Sequence, residues 1–163
     1  MPSDDLIPAD YISAIGEVVV RWNSLEFYMN IFLIHLLGRE LRDPRPHVVF
    51  VHMAFPQKLD VLGALAELKA IRYRSSRLKK YQETVLPLLR KAQAGRNWVI
   101  HSNWIMQDGK VLRASSSARG TYKFSSTVTT LEEIEQVNQS IEEARIELAA
   151  LVKSPWNKLM RQV

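Results

Sequence analysis

Arg96, Asn97 and His101 stand within the stretch "GRNWVIHSNW", residues 95 to 104, beside two tryptophans in an otherwise apolar setting. An imidazole exchanges a proton near neutral pH, and a guanidinium holds a phosphate through two parallel hydrogen bonds. On a helix, Arg90, Gln93, Asn97, His101 and Trp104 share an arc of about 80°, a polar and aromatic stripe on which His101 faces outward. Arg96 lies about 140° from His101. It falls among Leu89, Ala92, Val99 and Ile100, on the side that should meet the core. That separation argues against both groups of one protomer gripping the same phosphate, unless a dimer or a distortion at Gly95 brings them together.

A guanidinium on a core face needs a partner, because taking a charge out of water costs several kcal/mol, on the order of the loss when a buried pair is broken. Glu26 is the carboxylate stranded in the apolar stripe of the first helix, so Glu26 is expected to meet Arg96 between the two helices. The pair either fixes helix register or orients Arg96 for catalysis. Removing one partner is then expected to destabilise the fold by about 3 to 5 kcal/mol. His101 has the same two readings, a packed ring or an acid–base group. Asn97, one turn before it, can fix the imidazole tautomer or hold a ligand oxygen, and its poor helix propensity asks for such a reason.

The elements that must position these residues follow from periodicity. Between Pro8 and Leu37, Ile12, Ile15, Val19, Trp22, Glu26, Met29, Leu33 and Leu36 recur at steps of three and four, one face of a long helix. Gly38 and "RELRDPRPH" read as a surface connection. A shorter helix begins near Pro56 and carries Leu59, Leu62, Leu65, Ala66 and Leu68. A third runs from about Leu78 to Asn103, with a kink at Pro87 and a weak point at Gly95. Asp108-Gly109 between apolar stretches, then "GTYKFSSTVT", predict a β-hairpin over about residues 104–127, with a flexible "SSSARG" section. Thr130 with Glu133 forms a capping box for a last helix striped by Leu131, Ile134, Val137, Ile141, Leu148 and Leu151 and ended by Pro155. The expected fold is all-α: one domain over residues 1–163, an up-and-down bundle of about four helices with a β-hairpin inserted before the last.

Composition narrows the functions. The chain has 163 residues, 47% of them hydrophobic, which suffices for a core, and no cysteine, which excludes disulfides and thiolate chemistry. An acidic amino terminus and the short apolar run "IFLIHLLG" predict no membrane partner and a cytoplasmic location. A net charge of +5 suits a polyanionic partner. His35, His47, His52 and His101 have no metal-ligand spacing, so neither a metal nor another cofactor is expected. No nucleophile elbow surrounds Ser102, and no glycine-rich phosphate loop exists.

The pattern Arg96-Asn97-Trp98-Val99-Ile100-His101, arginine, polar residue, three variable residues and histidine, resembles the motif of the HEPN superfamily of helical nucleases. "RWNSLEFYMNIFLIHLLG", residues 21 to 38, is similar to the first helix of bacterial HEPN-like proteins, where a Trp and a Glu precede a Leu-rich end. The likeness covers about residues 8 to 104 and, less specifically, the last helix; the hairpin falls outside it. The resemblance implies a metal-independent endoribonuclease that works as a homodimer, the motifs of two protomers facing one cleft, with roles in stress, defence or toxin–antitoxin pairs. It makes Arg96 and His101, with Asn97 as their polar helper, the catalytic set, and RNA and an antitoxin protein the partners; the ion-pair argument leaves Glu26 a structural or orienting residue. Many members of the group are noncatalytic. The alternative function is therefore a helical interaction or nucleotide-binding module.

RNA contacts are expected from Arg90, Gln93 and Trp104 on the stripe and from Lys110 and Arg113 on the hairpin, joined there by Arg119 and Lys123. The tract Lys69, Arg72, Arg74, Arg77, Lys79 and Lys80 either lines an RNA path or is neutralised by the glutamates of the last helix, Glu132, Glu133, Glu135, Glu142, Glu143 and Glu147. Trp22, Trp98 and Trp156 read as core, whereas Trp104 reads as the base-stacking candidate.

Overall fold

The apolar run after Pro8 folds as one long helix, α1 (Ala9–Leu36), in the computed structural model, which describes residues 6–73, 76–117 and 121–153. Gly38 ends it at φ +67°, and the Arg39 N–H reaches back to the Ile34 carbonyl at 3.1 Å, a Schellman closure that only a residue tolerant of positive φ makes cheaply. The buried side of α1 is Ala14, Val18, Trp22, Leu25, Met29, Phe32, Leu33, Ile34 and Leu36. Ile12 and Val19 of the expected stripe are exposed instead. This helix is apolar nearly all round, so two stripes compete and periodicity alone does not choose between them.

The segment expected to be only a connection contains a helix, α2 (Pro44–Val51). Asp43 caps it by accepting from the Arg45 N–H at 3.1 Å, and Pro44 fits the first turn, which needs no N–H. The Arg45 side chain also bonds this carboxyl and holds it down at about 2. In α3 (Phe55–Tyr73), Gln57 reaches back to the Ala54 N–H at 2.8 Å. Phe55 meets Trp22 of α1 with ring centroids 4.3 Å apart.

The third predicted helix forms as α4 (Ser76–Lys80), a π-helical turn (Tyr81–Val85) and α5 (Leu86–Ile100), without interruption. The physical reason for the wide turn is Pro87, which offers no N–H and crowds the carbonyl four residues back. The backbone widens just before it, and the Leu86 N–H bonds the Tyr81 carbonyl five residues away. Tyr81 itself is buried against Phe32, and that burial pushes its phenol up. The helix stops at Ile100, short of the expected Asn103, because the next residues enter a sheet.

The expected hairpin forms from β1 (Asn103–Gln107) and β2 (Lys110–Ser117), and a third strand, β3 (Lys123–Val128), extends it to an antiparallel meander in that order. Asp108 and Gly109 take φ 51° and 70°, the paired positive values of a type I′ turn. Leu112 stands between Ile105 and Val128, and every residue of β3 is exposed. The last helix, α6 (Leu131–Lys153), begins with the predicted capping box: Thr130 N–H donates to Glu133 at 2.8 Å, and the Glu133 N–H to Thr130 Oγ1 at 3.3 Å. Its stripe buries Ile134, Ile141, Leu148 and Leu151, as expected. The basic side chains of Arg72, Arg74 and Arg77, together with Arg119, Pro155 and Trp156, lie outside what the structure describes.

α6 packs along α1 and α5. At Gly95 α5 approaches α6 closely, since a Cβ there would meet Val137 Cγ1 at 3.1 Å and Cγ2 at 3.2 Å. The residue expected to weaken the helix is therefore what lets α6 approach. Gly95→Ala is expected to destabilise by about 1 kcal/mol, because overpacking outweighs a propensity gain of nearly that size. Adding Val137→Ala should show favourable coupling of about 1 kcal/mol in a urea-denaturation cycle; simple additivity would disprove the contact.

Candidate functional site

His101 caps α5 at φ −95° and ψ 10°, its N–H still bonded to the Asn97 carbonyl at 3.1 Å. The ring is exposed, and the backbone at this point has left the helical path. Arg96 is half-buried. Its guanidinium lies over the indole of Trp22, 5.6 Å from the ring centroid, and its Nη1 donates to Asn97 Oδ1 at 3.1 Å and to His101 Nε2 at 2.9 Å. A guanidinium has no acceptor, so at this contact Nε2 is the group that supplies the lone pair.

Two expectations are thereby corrected. Arg96 and His101 do meet within one protomer, although their helical positions are about 140° apart. The long arginine side chain spans the arc, and His101 sits past the last helical residue. Asn97 holds Arg96 rather than the imidazole. Second, Glu26 does not pair with Arg96. Its Oε1 accepts from Lys58 Nζ at 2.5 Å, with the lysine side chain 4% exposed and the glutamate 31%. Because α1 turns Leu25 into the core, Glu26 falls on the flank facing α3, where Lys58 is the cation within reach.

The remaining candidates separate into two groups. Arg90 and Asn97 are exposed and Gln93 is half-buried, continuing along α5 toward His101 as the stripe predicts. Lys110 is exposed at the β1–β2 turn. Trp104 is not a free platform: it lies on β1, gives its Nε1–H to the Val99 carbonyl at 3.1 Å and meets Trp98 edge to face at 6.2 Å. Arg113 is likewise committed. Its guanidinium stacks on Trp98 at 4.8 Å and reaches Ser102 Oγ at 3.4 Å. Ser102 in turn donates to the Trp98 carbonyl at 2.7 Å, which fits the absence of a serine nucleophile motif.

The exposed cluster can therefore offer an imidazole nitrogen and a guanidinium to one anion. A phosphate that draws Arg96 toward itself frees Nε2 to take a proton. Among the described residues no group of three or more His, Asp or Glu side chains could hold a metal ion, and no helix is long and apolar enough to cross a membrane. Comparison with protein-family profiles, with characterised proteins and with solved structures finds no match.

Two contributors were not foreseen as parts of this neighbourhood. Trp22 was read only as core, and it is also the surface on which Arg96 rests. Lys58 carried a legible signal, since Phe55, Lys58, Leu59 and Leu62 share one helical face on which a lysine needs an anion.

Proposed function

We propose that this chain is a HEPN-like endoribonuclease of the cytoplasm that cleaves RNA by internal attack of a ribose 2′-OH, without a metal. The observation that carries the reading is the 2.9 Å contact of Arg96 Nη1 with His101 Nε2 on an exposed surface, braced by Asn97. In the reaction, Arg96 leaves the imidazole for the scissile phosphate and His101 Nε2 accepts the 2′-OH proton. The 2′ oxygen bonds phosphorus and the 5′ oxygen departs, taking a proton from a second donor, which leaves a 2′,3′-cyclic phosphate and a 5′-hydroxyl. In a homodimer that donor is His101 of the facing copy in its protonated form.

Val20 and Phe27, 69% and 61% exposed, with Ile12 and Val19, form an apolar strip on the side of α1 turned away from the buried Trp22, a face open to a second copy. Phe27→Asp combined with Val20→Asp is expected to convert a dimer to monomer in light scattering, with loss of cleavage but not of helical content. A wild-type chain that is monomeric at every concentration tested overturns the dimeric mechanism.

The direct test is incubation of the full chain with mixed single-stranded RNA in EDTA, followed by analysis of the product ends. Cyclic phosphates and 5′-hydroxyls are expected. RNA that binds and stays intact overturns the nuclease reading in favour of a noncatalytic module, in which the same contact only shapes the surface.

A further inference from the structure

Trp104 is committed to Trp98 and to a backbone carbonyl, yet the sheet presents other aromatic side chains to solvent. Tyr122 and Phe124 are 70% and 60% exposed, and neither ring stacks on another side chain among the described residues. Rings left open to water on a paired strand mark a surface that a ligand can cover with gain.

Alternation along the strands sets what surrounds Phe124. Its face of the sheet also carries Asn103 and Ile105 of β1, Lys110 and Leu112 of β2, and Val128 of β3. This face is turned away from α5, because Trp104 and Arg113 stand on the opposite one and meet Trp98. Asp108, in the β1–β2 turn, is the sole carboxylate between residues 103 and 128, against Lys110, Arg113, Arg119 and Lys123. Lys110 and Lys123 form no ion pair among the described residues.

The face also reaches the candidate site. Asn103 opens β1 two residues after His101 and pairs through Ala114 with Ser126, beyond which Phe124 comes next on the same face. Strand and residue spacings put residues 103 and 124 about 12 Å apart, within reach of the nucleotides beside a bond held at His101. Cations without nearby acids favour a polyanion, and an open ring favours a ligand with a flat π-face. Single-stranded nucleic acid has both. A duplex keeps its bases stacked inside and offers the ring nothing.

We infer that the outward face of the sheet is a binding platform for single-stranded RNA beside the Arg96–His101 site. The base of a nucleotide near the scissile bond stacks on Phe124 and a neighbouring base on Tyr122, while Lys123 and Lys110 hold phosphates. The inference rests on the reading of RNA as the substrate of that site, and it supplies the base-stacking part that Trp104 does not.

Binding of the full chain to a mixed-sequence 2′-O-methyl oligoribonucleotide, measured by fluorescence anisotropy, tests the platform apart from cleavage, because this probe has no 2′-OH to attack. Phe124→Ala is expected to weaken binding about tenfold, Phe124→Leu nearly as much and Phe124→Tyr hardly at all, since only tyrosine restores a ring. Lys110→Gln with Lys123→Gln should lower the slope of log K against log salt by about 1.4, about 0.7 for each lost phosphate contact. A duplex of the same sequence should bind about tenfold more weakly. The replaced side chains are exposed, and circular dichroism checks that the fold persists. No binding in low salt, equal binding by the wild type and Phe124→Leu, or a duplex bound as tightly as the single strand each overturns the inference. So does a Phe124→Ala variant that changes self-association and leaves RNA affinity intact, which would mark the face as a contact between copies. A chain that binds through Phe124 and leaves unmodified RNA uncut removes the nuclease reading and upholds the platform.

Discussion

Replacing His101 with alanine is expected to lower the rate of RNA cleavage by about 10²- to 10⁴-fold, the usual contribution of a positioned acid–base group. In barrier terms that is about 3 to 5 kcal/mol. RNA affinity should hardly change, because Arg96 and Asn97 remain and a neutral imidazole adds little to phosphate binding. Stability should stay within about 0.5 kcal/mol, since the ring is exposed and the helix cap is a backbone bond that alanine can also make. The measurement is single-turnover cleavage in EDTA beside a binding isotherm on the same RNA. Cleavage that persists at the wild-type rate removes His101 from the chemistry.

Glu26→Gln is expected to destabilise the protein by about 3 kcal/mol, toward the lower end of the loss when a buried charge is orphaned, because Glu26 keeps some contact with water. With a urea dependence of about 2 kcal/mol per molar, the midpoint should fall by about 1.5 M. Lys58→Met should behave differently. It replaces the buried member by an apolar chain of similar length and leaves a carboxylate that solvent can reach, so a change within about 1 kcal/mol is expected. Equal losses from both variants would show that the pair is not asymmetrically buried. Arg96→Met, which the sequence alone would rank with Glu26→Gln, now belongs to the activity experiments, because its partners are Asn97, His101 and the face of Trp22.

The contrast between Glu26 and Thr130 shows what was legible. Thr130 with Glu133, and Asp108 with Gly109, are local signals whose geometry depends on a few adjacent residues, and both formed as read. The long helices were legible for the same reason. Glu26 was placed correctly on α1 and given the wrong partner, because that helix is apolar on several sides and a modest rotation exchanges α5 for α3 as its neighbour. Arg96 and His101 were recognisable by type and spacing, yet their contact was not, since helical angles describe where a side chain starts and not where a flexible one ends. The third strand was missed because its exposed sequence, "KFSSTV", has no buried face to impose alternation.

Only Ser102 separates the candidate imidazole from the first strand, and both ends of that joint are stayed: Ser102 to the Trp98 carbonyl, Trp104 to the Val99 carbonyl. The sheet and the helix thus share an elbow, with the imidazole at its point. Both bonds tie the start of the sheet to the last turn of α5, so the anchorage of the strands runs through Ser102 and Trp104 and leaves the His101 ring outside it.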